Sequence, residues 1–544
     1  MPDRSDRKVM RNHTSHANAE IRGAFGTIRD SDATSSRSFK KTIFTLLAVV
    51  GPGIIVMVGD NDAGGVSTYA QAGQNYGLSL LWTLPLIIPV LIVNQEMVVR
   101  LGAVTGIGYA RLISERFGRL WGRVSVIGLF LLNFLTVATE FAGVTLSLGY
   151  FNVSKYLCVP IAAVLLVAIT ASGSFRRWER FMFVFVFANF LVIPLVIFAH
   201  PHAGPIFHGF VTPKVAGGVN STAVLFVIGI VGTTVAPWQL FFQQSNIVDK
   251  KLTPRWINYE RVDTILGSAV TVLAATLIIS TTAFAFSSHV DLFGHFVNGL
   301  AVAKGLDQTL GNSAGALFAL VLLNASMVGA ASVTLTTAYA FGDIKGARSS
   351  LDRSFSDARQ FYVIFAILVV LAAGIVLLPH APLGLFVLAV QAFAGILLPT
   401  TMIFALLLCN DREVLGPWVN RPWLNVVAGL VITILLGMSA ILMITTVFSN
   451  VSAGILLVVL IVAAVGGVAV GILLARSSIA DERMNPQLRA RPERERWQMP
   501  AAALLKPARL SRGRRAVLFG LFIYLVIGVG LLLTKSIGLG LGHH

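Results

Sequence analysis

The chain has 544 residues, of which 55% are hydrophobic and only 12% are charged, and its mean hydropathy is +0.78. Soluble domains carry about 25% charged residues, so this composition excludes a soluble globular protein and indicates many membrane spans. The formal net charge of +17 is compatible with nucleic-acid binding, but its position along the chain argues against that function.

The amino-terminal segment differs in composition from the rest of the chain. Residues 1–41 are rich in Ser, Arg and Asp and contain no apolar run, so we expect a disordered cytoplasmic tail without a cleavable signal peptide. Apolar segments then recur, and about 20 residues are enough to span a bilayer. We place thirteen spans, at residues 42–70, 78–101, 124–150, 156–169, 181–198, 223–243, 264–286, 314–341, 361–378, 383–408, 424–448, 453–474 and 516–533.

The basic residues support this topology. If the amino terminus is cytoplasmic, all but four of the 42 Lys and Arg residues fall in cytoplasmic segments, and the exceptions are Lys155, Lys214, Lys304 and Lys535. This distribution follows the positive-inside rule and places basic side chains beside anionic lipids. We therefore expect an integral protein of the cell (inner) membrane whose partners are the bilayer and a small solute, not nucleic acid.

The first span contains a segment that is energetically unfavourable in a membrane helix. Residues 51–65, GPGIIVMVGDNDAGG, begin as an apolar helix and then place Asp60, Asp62 and the pair Gly64–Gly65 at membrane depth. A carboxylate there costs about 3 kcal/mol, and acids in such positions usually serve ions or protons. Each glycine costs roughly 1 kcal/mol against alanine in a helix, so we expect the helix to break here. Asp60 is a candidate for the lining of the entry vestibule or for a proton relay. The structural alternatives are that Asp62 only caps the broken helix and that Asp60 is solvated or capping.

The sixth span contains a second interruption. In its sequence GIVGTTVAPWQLFFQQS, Pro237 removes an amide donor, so the helix should unwind just before it and leave weakly bonded carbonyls at Thr233, Thr234 and Ala236. Interruptions in spans five apart predict two inverted five-helix halves, with a binding site between them at the membrane midplane.

Other acids at membrane depth also favour a cation as the solute. Glu96 lies four residues before Arg100 and is expected to form an ion pair with it. Glu140 in the third span is a candidate for a proton relay, with a hydrogen bond to a hydroxyl such as that of Thr139 as the alternative. The sequence has no phosphate-binding loop, no HExxH motif and no nucleophile elbow, so we expect neither an enzyme nor a bound cofactor.

The motifs resemble those of the NRAMP divalent-metal transporters over about residues 51–430. Residues 51–53 match the family's GPG motif, and residues 62–65 match its DPGN motif. Residues 100–102 and 105–106 resemble its RLG and TG motifs, and residues 232–239 lie over its GATVMPHN stretch. The match also includes segments 71–77, 398–399, 410–412 and 419–421. The resemblance implies an all-α LeuT-type five-plus-five inverted repeat with discontinuous first and sixth helices. It assigns the transporter core to residues 42–411 and two additional spans to 412–475. A basic cytoplasmic linker at 476–515 and a last span with its tail at 516–544 follow.

The resemblance also implies a metal site. Asp62 corresponds to the family's metal-binding aspartate, and Gln391 corresponds to the tenth-span glutamine that approaches the ion. The other positions differ: the family's asparagine is Gly65 here, the alanine whose carbonyl faces the ion is Thr233, the methionine is Ala236, and the histidine is Trp238, which we expect to be site wall.

These differences change the expected substrate and its coupling. Without the methionine thioether the site offers only oxygen ligands, which suits Mg²⁺, and small residues at 65 and 236 are expected to leave a wider pocket for a partly hydrated ion. The second acid of the family's third-span pair is Gly143, and Trp238 cannot titrate as the family's histidine can. The site residues are most similar to those of the NRAMP-related magnesium transporters.

We therefore predict a transporter of Mg²⁺, and also Mn²⁺, that works by alternating access with weak or no proton coupling. The alternatives are a proton-coupled Mn²⁺/Fe²⁺ symporter with an altered site, an organic-substrate carrier of the same superfold, and a membrane sensor or scaffold that no longer transports.

Overall fold

A computed structural model describes residues 20–29, 39–346, 350–379, 383–448, 451–482, 494–495, 497–500, 505 and 512–540. Two short antiparallel strands, β1 (Glu20–Arg22) and β2 (Thr27–Arg29), pair Ile21 with Ile28. All other elements of the described chain are helical.

The helices are α1 (Phe39–Val49), α2 (Pro52–Asp60), α3 (Ala63–Tyr76), α4 (Thr83–Thr105), α5 (Tyr109–Phe117), α6 (Arg119–Tyr150), α7 (Lys155–Thr170), α8 (Phe175–Ala188), α9 (Val192–Phe198), α10 (Ala203–Val211), α11 (Ser221–Thr234), α12 (Pro237–Asp249), α13 (Ile257–Phe286), α14 (Gly299–Leu310), α15 (Asn312–Lys345), α16 (Arg359–Leu377), α17 (Leu383–Cys409), α18 (Arg412–Leu415), α19 (Pro422–Val447), α20 (Ala453–Glu482) and α21 (Arg512–Gly540). Short 3₁₀ turns lie at Asn189–Leu191, Pro254–Trp256 and Gly416–Trp418.

The positions of the apolar helices agree with the predicted spans. In the described residues, nine helices are long and apolar enough to cross a membrane, and two bent helix pairs raise the number to eleven. Two shorter apolar helices, Lys155–Thr170 and Arg515–Gly528, occupy the two remaining predicted positions. Each of the thirteen predicted segments therefore contains an apolar helix, and the prediction of an all-α polytopic membrane protein is confirmed.

The first span is interrupted within the predicted segment 51–65, just before the glycine pair. Helix α2 ends at Asp60 and α3 begins at Ala63, so only Asn61 and Asp62 lie between them. Gly64 and Gly65 belong to the first turn of α3. The break comes earlier because Asp62 adopts an extended conformation and caps α3, which fixes where the new helix starts.

The sixth span is interrupted where Pro237 predicts. Helix α11 ends at Thr234, Val235 and Ala236 are extended, and α12 begins with Pro237 at its first position. Proline is favoured there because its missing amide would have no partner in the first turn of a helix. The prediction of two interrupted spans is confirmed.

The long helices pack around these two breaks. Helix α13 contacts α2, α3 and α4, while α15 contacts α6 and α12. Helix α17 contacts α6, α11 and α12, and the additional helices α19 and α20 pair with each other at the side of this bundle. The breaks therefore lie inside the protein.

The terminal segments differ from the expected disorder where the structure describes them. In the hairpin of β1 and β2, the amide of Ala24 donates to Glu179 Oε2 at 2.6 Å, and Arg180 Nε donates to the carbonyl of Ala24 at 2.9 Å. In the basic linker, α20 continues to Glu482 and the amide of Met499 donates to the carbonyl of Val104 at 3.4 Å. These short pieces are ordered by contacts with the bundle that have no local sequence signature. The predicted tail segments 1–19 and 30–38 and most of the linker lie outside the described residues.

Candidate metal-binding site

Asp62 caps a helix and also lines a cavity. Its Oδ1 accepts a hydrogen bond from the amide of Gly65 at 2.8 Å, so it caps α3 as the structural alternative proposes. The same side chain lines a cavity of about 30 Å³ between the two interrupted spans. Capping therefore holds the carboxylate at the cavity and does not remove it.

Thr233 faces Asp62 across this cavity. Asp62 Oδ1 and Thr233 Oγ1 lie 3.2 and 3.8 Å from the point where a Cβ atom on Gly64 would stand. Gly64 itself lines the cavity, and a larger side chain there would fill the space between the two oxygens. The structure therefore brings the carboxylate of the first break and the hydroxyl of the second to one place.

Ala236 and Trp238 also line the cavity, as the sequence predicts for site residues. Ala236 is the extended residue before Pro237, and its carbonyl accepts a hydrogen bond from the amide of Gln239 at 3.2 Å. The Trp238 ring is buried and stands edge-on to Phe242, with 5.8 Å between ring centroids. The small side chain of Ala236 leaves space in the cavity, and the ring of Trp238 forms part of its wall.

Gly65 contacts Asp62 through its backbone amide alone. It is buried in the first turn of α3, where its amide holds Asp62, and a Cβ atom would come within 3.0 Å of the carbonyl oxygen of Asp60. No side chain reaches the cavity from this position. Gln391 lies in α17 between the cavity-lining residues Val390 and Ala394, and its side chain is outside the described part of the structure.

Asp60 does not line an open vestibule in this structure. It is buried at the end of α2, and its Oδ1 accepts a hydrogen bond from Gln239 Nε2. Gln239 Oε1 in turn accepts from Gln95 Nε2 at 3.4 Å. The vestibule prediction does not fit this position because Asp60 points into a buried amide network between α4 and α12; a proton-relay role stays a prediction.

Glu140 contacts the first break directly. Its Oε2 accepts a hydrogen bond from the amide of Ala63 at 3.1 Å, and the side chain is fully buried. The alternative that Glu140 bonds the Thr139 hydroxyl is wrong, since Thr139 Oγ1 donates to the carbonyl of Thr136 at 2.7 Å. Glu140 and Asp62 thus each hold one amide in the first turn of α3.

Two glycines leave the space that the side chains around these acids occupy. Neither glycine is among the site residues predicted from the sequence. A Cβ atom on Gly329 in α15 would lie 2.7 Å from Glu140 Cδ and 2.9 Å from Asp62 Cβ. A Cβ atom on Gly143 would lie 2.6 Å from Ala63 Cβ and would overlap Ser326 Oγ. The second acid of the family's third-span pair therefore has no room here, because α3 and α15 occupy that volume.

Thr136 and Thr139 also line the cavity and were missed as site residues. Together with Glu140 they occupy positions i, i+3 and i+4 of α6 and therefore share one helix face. This spacing is a signal that the sequence contains. No group of three or more His, Cys, Asp or Glu side chains that could hold a metal occurs among the described residues, so the cavity offers one carboxylate with hydroxyl and backbone oxygens.

Two interrupted helices that present half-helix ends to a shared cavity are the architecture of secondary transporters. A family model described as Nramp, natural resistance-associated macrophage protein-like, matches residues 53–445. This match covers more than half of the chain, which therefore belongs to the Nramp family.

Individual relatives agree with this assignment. The divalent metal cation transporter MntH of Staphylococcus aureus is 26% identical over 417 residues, which cover 73% of this chain and 91% of that protein. The manganese transporter of Eremococcus coleocola, solved with an aromatic bis-isothiourea substituted compound, has a TM-score of 0.60 and 21% identity over 82% of this chain and 97% of its own. A mutant of that transporter gives a TM-score of 0.61 over 86% and 99% of the two chains, also at 21% identity. The fold is the LeuT-type inverted repeat that the sequence predicts.

Proposed function

We propose that this protein transports divalent cations, Mg²⁺ and also Mn²⁺, by alternating access with weak or no proton coupling. The observation that carries the proposal is the approach of Asp62 and Thr233 across Gly64, between the two helix breaks. The relatives named above as divalent metal cation and manganese transporters support the general class of substrate.

The choice of Mg²⁺ rests on the ligands that surround the cavity. Its described lining contains oxygen atoms and no sulfur, because Ala236 stands where the family has a methionine. Hard cations prefer oxygen ligands, whereas thioether sulfur favours softer transition metals. Asp62 would supply the charge, with Thr233 and backbone oxygens completing the site.

The expected wide pocket is not observed. A water molecule requires about 10–15 Å³ by this kind of measure, so a cavity of about 30 Å³ holds an ion with one or two waters. Mg²⁺ usually keeps several waters. The two halves must therefore separate before a partly hydrated ion enters, as alternating access requires.

Weak proton coupling is supported by the packing around Gly143. Ala63 and Ser326 occupy the volume that a second acidic side chain would need. A membrane potential of 100 mV contributes about 4.6 kcal/mol to the entry of a divalent ion, so inward flux needs neither protons nor ATP. We place the protein in the cell (inner) membrane with its amino terminus in the cytoplasm.

The test uses purified protein in liposomes that contain a Mg²⁺-sensitive dye, a Mn²⁺-quenched dye or a pH probe. We expect both ions to enter while internal pH stays constant, and we expect Asp62→Ala to abolish flux. Asp291→Ala, the same change at an exposed loop residue, is the matched control and should leave flux unchanged. Flux that survives Asp62→Ala contradicts the site assignment.

The second candidate is a proton-coupled Mn²⁺/Fe²⁺ symporter with an altered site. Glu140 favours this second candidate, because it keeps one acid of the family's third-span pair buried beside Asp62. The pH probe separates the two candidates, because internal acidification in proportion to metal entry would establish coupling. Failure of the reconstituted wild-type protein to carry any divalent ion would instead support a sensor or scaffold.

A further inference from the structure

A second cavity lies away from the proposed metal site, at the face that carries the basic loops. It has a volume of about 270 Å³, and four arginines from separate parts of the chain line it: Arg100, Arg261, Arg421 and Arg494. Arg100 belongs to α4, Arg261 belongs to α13, and Arg421 precedes α19. Arg494 belongs to the basic linker.

The positive charge of this cavity is not balanced by the described residues that line it. Glu96 is the single acid among them, and it is already shared. Its Oε2 accepts from Arg100 Nη2 at 2.9 Å, which confirms the predicted ion pair, and its Oε1 accepts from Arg261 Nη2 at 2.6 Å. Four arginines and one glutamate leave three positive charges in excess, and a cluster of like charges is unfavourable unless an anion joins it.

Arg494 shows most clearly that these arginines lack a balancing anion among the described residues. Its guanidinium lies 3.9 Å from the centroid of the Trp418 ring, and its carbonyl accepts from Trp418 Nε1 at 2.8 Å. Its Nε is buried without a hydrogen-bond partner in the part of the chain that the structure describes. Burial, together with the charges of Arg421, Arg261 and Arg100, lowers the pKa of Arg494 to about 10. Stacking on Trp418 holds the guanidinium in place while its Nε has no acceptor among the described residues.

Apart from these charged residues, the cavity is lined mainly by apolar side chains. Ile92, Val93, Ile265, Leu424 and Trp423 line it. Ile265 and Trp423 are 49% and 58% exposed, respectively, so this apolar lining is continuous with the outer surface. Tryptophan is enriched at the level of the lipid headgroups. The same cavity is therefore lined by arginines and by apolar side chains that continue to the outer surface.

We propose that this cavity binds the headgroup of an anionic phospholipid, with its phosphate among the arginines and its acyl chains against Ile265 and Trp423. Basic pockets between membrane helices recognise anionic headgroups in this way. A free phosphate ion satisfies the same donors but makes no use of the apolar lining. The described lining of this cavity shares no residue with that of the proposed metal site, so the proposal does not depend on which cation is carried.

Occupancy would join three segments that are otherwise far apart in the chain. Arg100 Nη1 donates to the carbonyl of Trp418 at 2.7 Å, and its Nη2 donates to Asn420 Oδ1 at 2.6 Å. Arg494 adds the linker through its stacking on Trp418. A bound lipid phosphate would therefore fix the linker to α4 and to the start of α19.

Native mass spectrometry of the purified full-length protein tests this proposal. We expect phosphatidylglycerol to be retained in preference to phosphatidylcholine with the same acyl chains. The double variant Arg421→Gln/Arg494→Gln should bind phosphatidylglycerol about 30-fold more weakly, the loss expected for two basic side chains beside an anionic headgroup. Arg119→Gln/Arg123→Gln is the matched control, because both arginines are exposed in α6 outside the cavity, and it should bind as the wild type does.

Further variants and competitors make the result decisive. Arg421→Lys/Arg494→Lys keeps both charges and should retain most of the phosphatidylglycerol binding. Arg421 is exposed, so the single variant Arg421→Gln should fold even if the double variant folds poorly, and it should bind phosphatidylglycerol about fivefold more weakly. Competition by inorganic phosphate as effective as that by the diacyl lipid would show a free-anion site and overturn the proposal. Equal retention of both lipids, or equal loss in the control variant, would overturn it as well.

Discussion

Glu140 on α6 accepts a hydrogen bond at 3.1 Å from the amide of Ala63, the first residue of α3. The first turn of a helix has amides without partners inside the helix, and at a break in the membrane water does not replace those partners freely. Asp62 satisfies the amide of Gly65 and Glu140 satisfies that of Ala63. The third span therefore holds the break of the first span in the position that exposes Asp62.

This relationship predicts different effects for two substitutions at one position. Glu140→Ala should reduce Mg²⁺ flux strongly and destabilise the protein by about 1–3 kcal/mol, because the amide of Ala63 loses its buried acceptor. Glu140→Gln keeps a carbonyl acceptor in place and should retain most of the flux and stability. Liposome flux and thermal unfolding in detergent measure both effects. Equal loss in the two variants would mean that the charge of Glu140, and therefore a proton relay, is what matters.

Gly329 predicts a steric effect on the same acids. A methyl group there would press on Glu140 Cδ at 2.7 Å and on Asp62 Cβ at 2.9 Å, so Gly329→Ala should displace both acids and abolish most of the flux. Gly374→Ala in α16 is the matched control, since a Cβ atom there would have no neighbour within 4 Å in the described structure. It should leave the flux unchanged and should raise stability by no more than about 1 kcal/mol, the usual gain when alanine replaces glycine inside a helix. Comparable flux in the two variants would show that the space at Gly329 is not needed.

The sequence predicts the spans and both interruptions because these depend on local composition. Apolar length defines each helix, and Pro237 removes a specific amide. The predicted interruption within residues 51–65 does not give the exact start of α3, which Asp62 sets because a capping residue decides where a helix begins. Asp62, three residues before the amide that it binds, is such a signal.

Other features depend on contacts between distant segments and have no local signature. The hairpin at residues 20–29 is held by Glu179, and the space for the acids depends on Gly329, which follows Glu140 by nearly 190 residues. The pocket width could not be inferred from the small residues at 65 and 236 because neighbouring helices closed around them. A single sequence gives side-chain volume at each position but not how far the helices approach.

A buried ion pair predicts a strong and non-additive effect on stability. Lys250 Nζ lies 2.7 Å from Glu179 Oε1, both side chains are completely buried, and Lys250 also donates to the carbonyls of Val49 and Val50 at the bend before α2. Lys250→Met should destabilise the protein by about 3–5 kcal/mol, because it leaves a buried carboxylate without an opposite charge.

The double variant Lys250→Met/Glu179→Gln supplies the control for this pair. It removes both charges and should recover a large part of the stability, as measured by thermal unfolding of the protein in detergent. Additive losses in the single and double variants would show that the two charges are not coupled.

Ala236 predicts how ion selectivity is set. It lines the cavity with Asp62 at the second break, where a methionine would place a thioether beside the ion. Ala236→Met should therefore shift the ratio of Mn²⁺ to Mg²⁺ flux by about tenfold toward Mn²⁺, since sulfur favours the softer metal. Ala236→Leu has a similar volume but no sulfur, so it should lower both fluxes without changing their ratio. Competition between the two ions in the same liposomes measures this ratio. An equal shift in the methionine and leucine variants would show that volume at position 236, and not ligand chemistry, determines the selectivity.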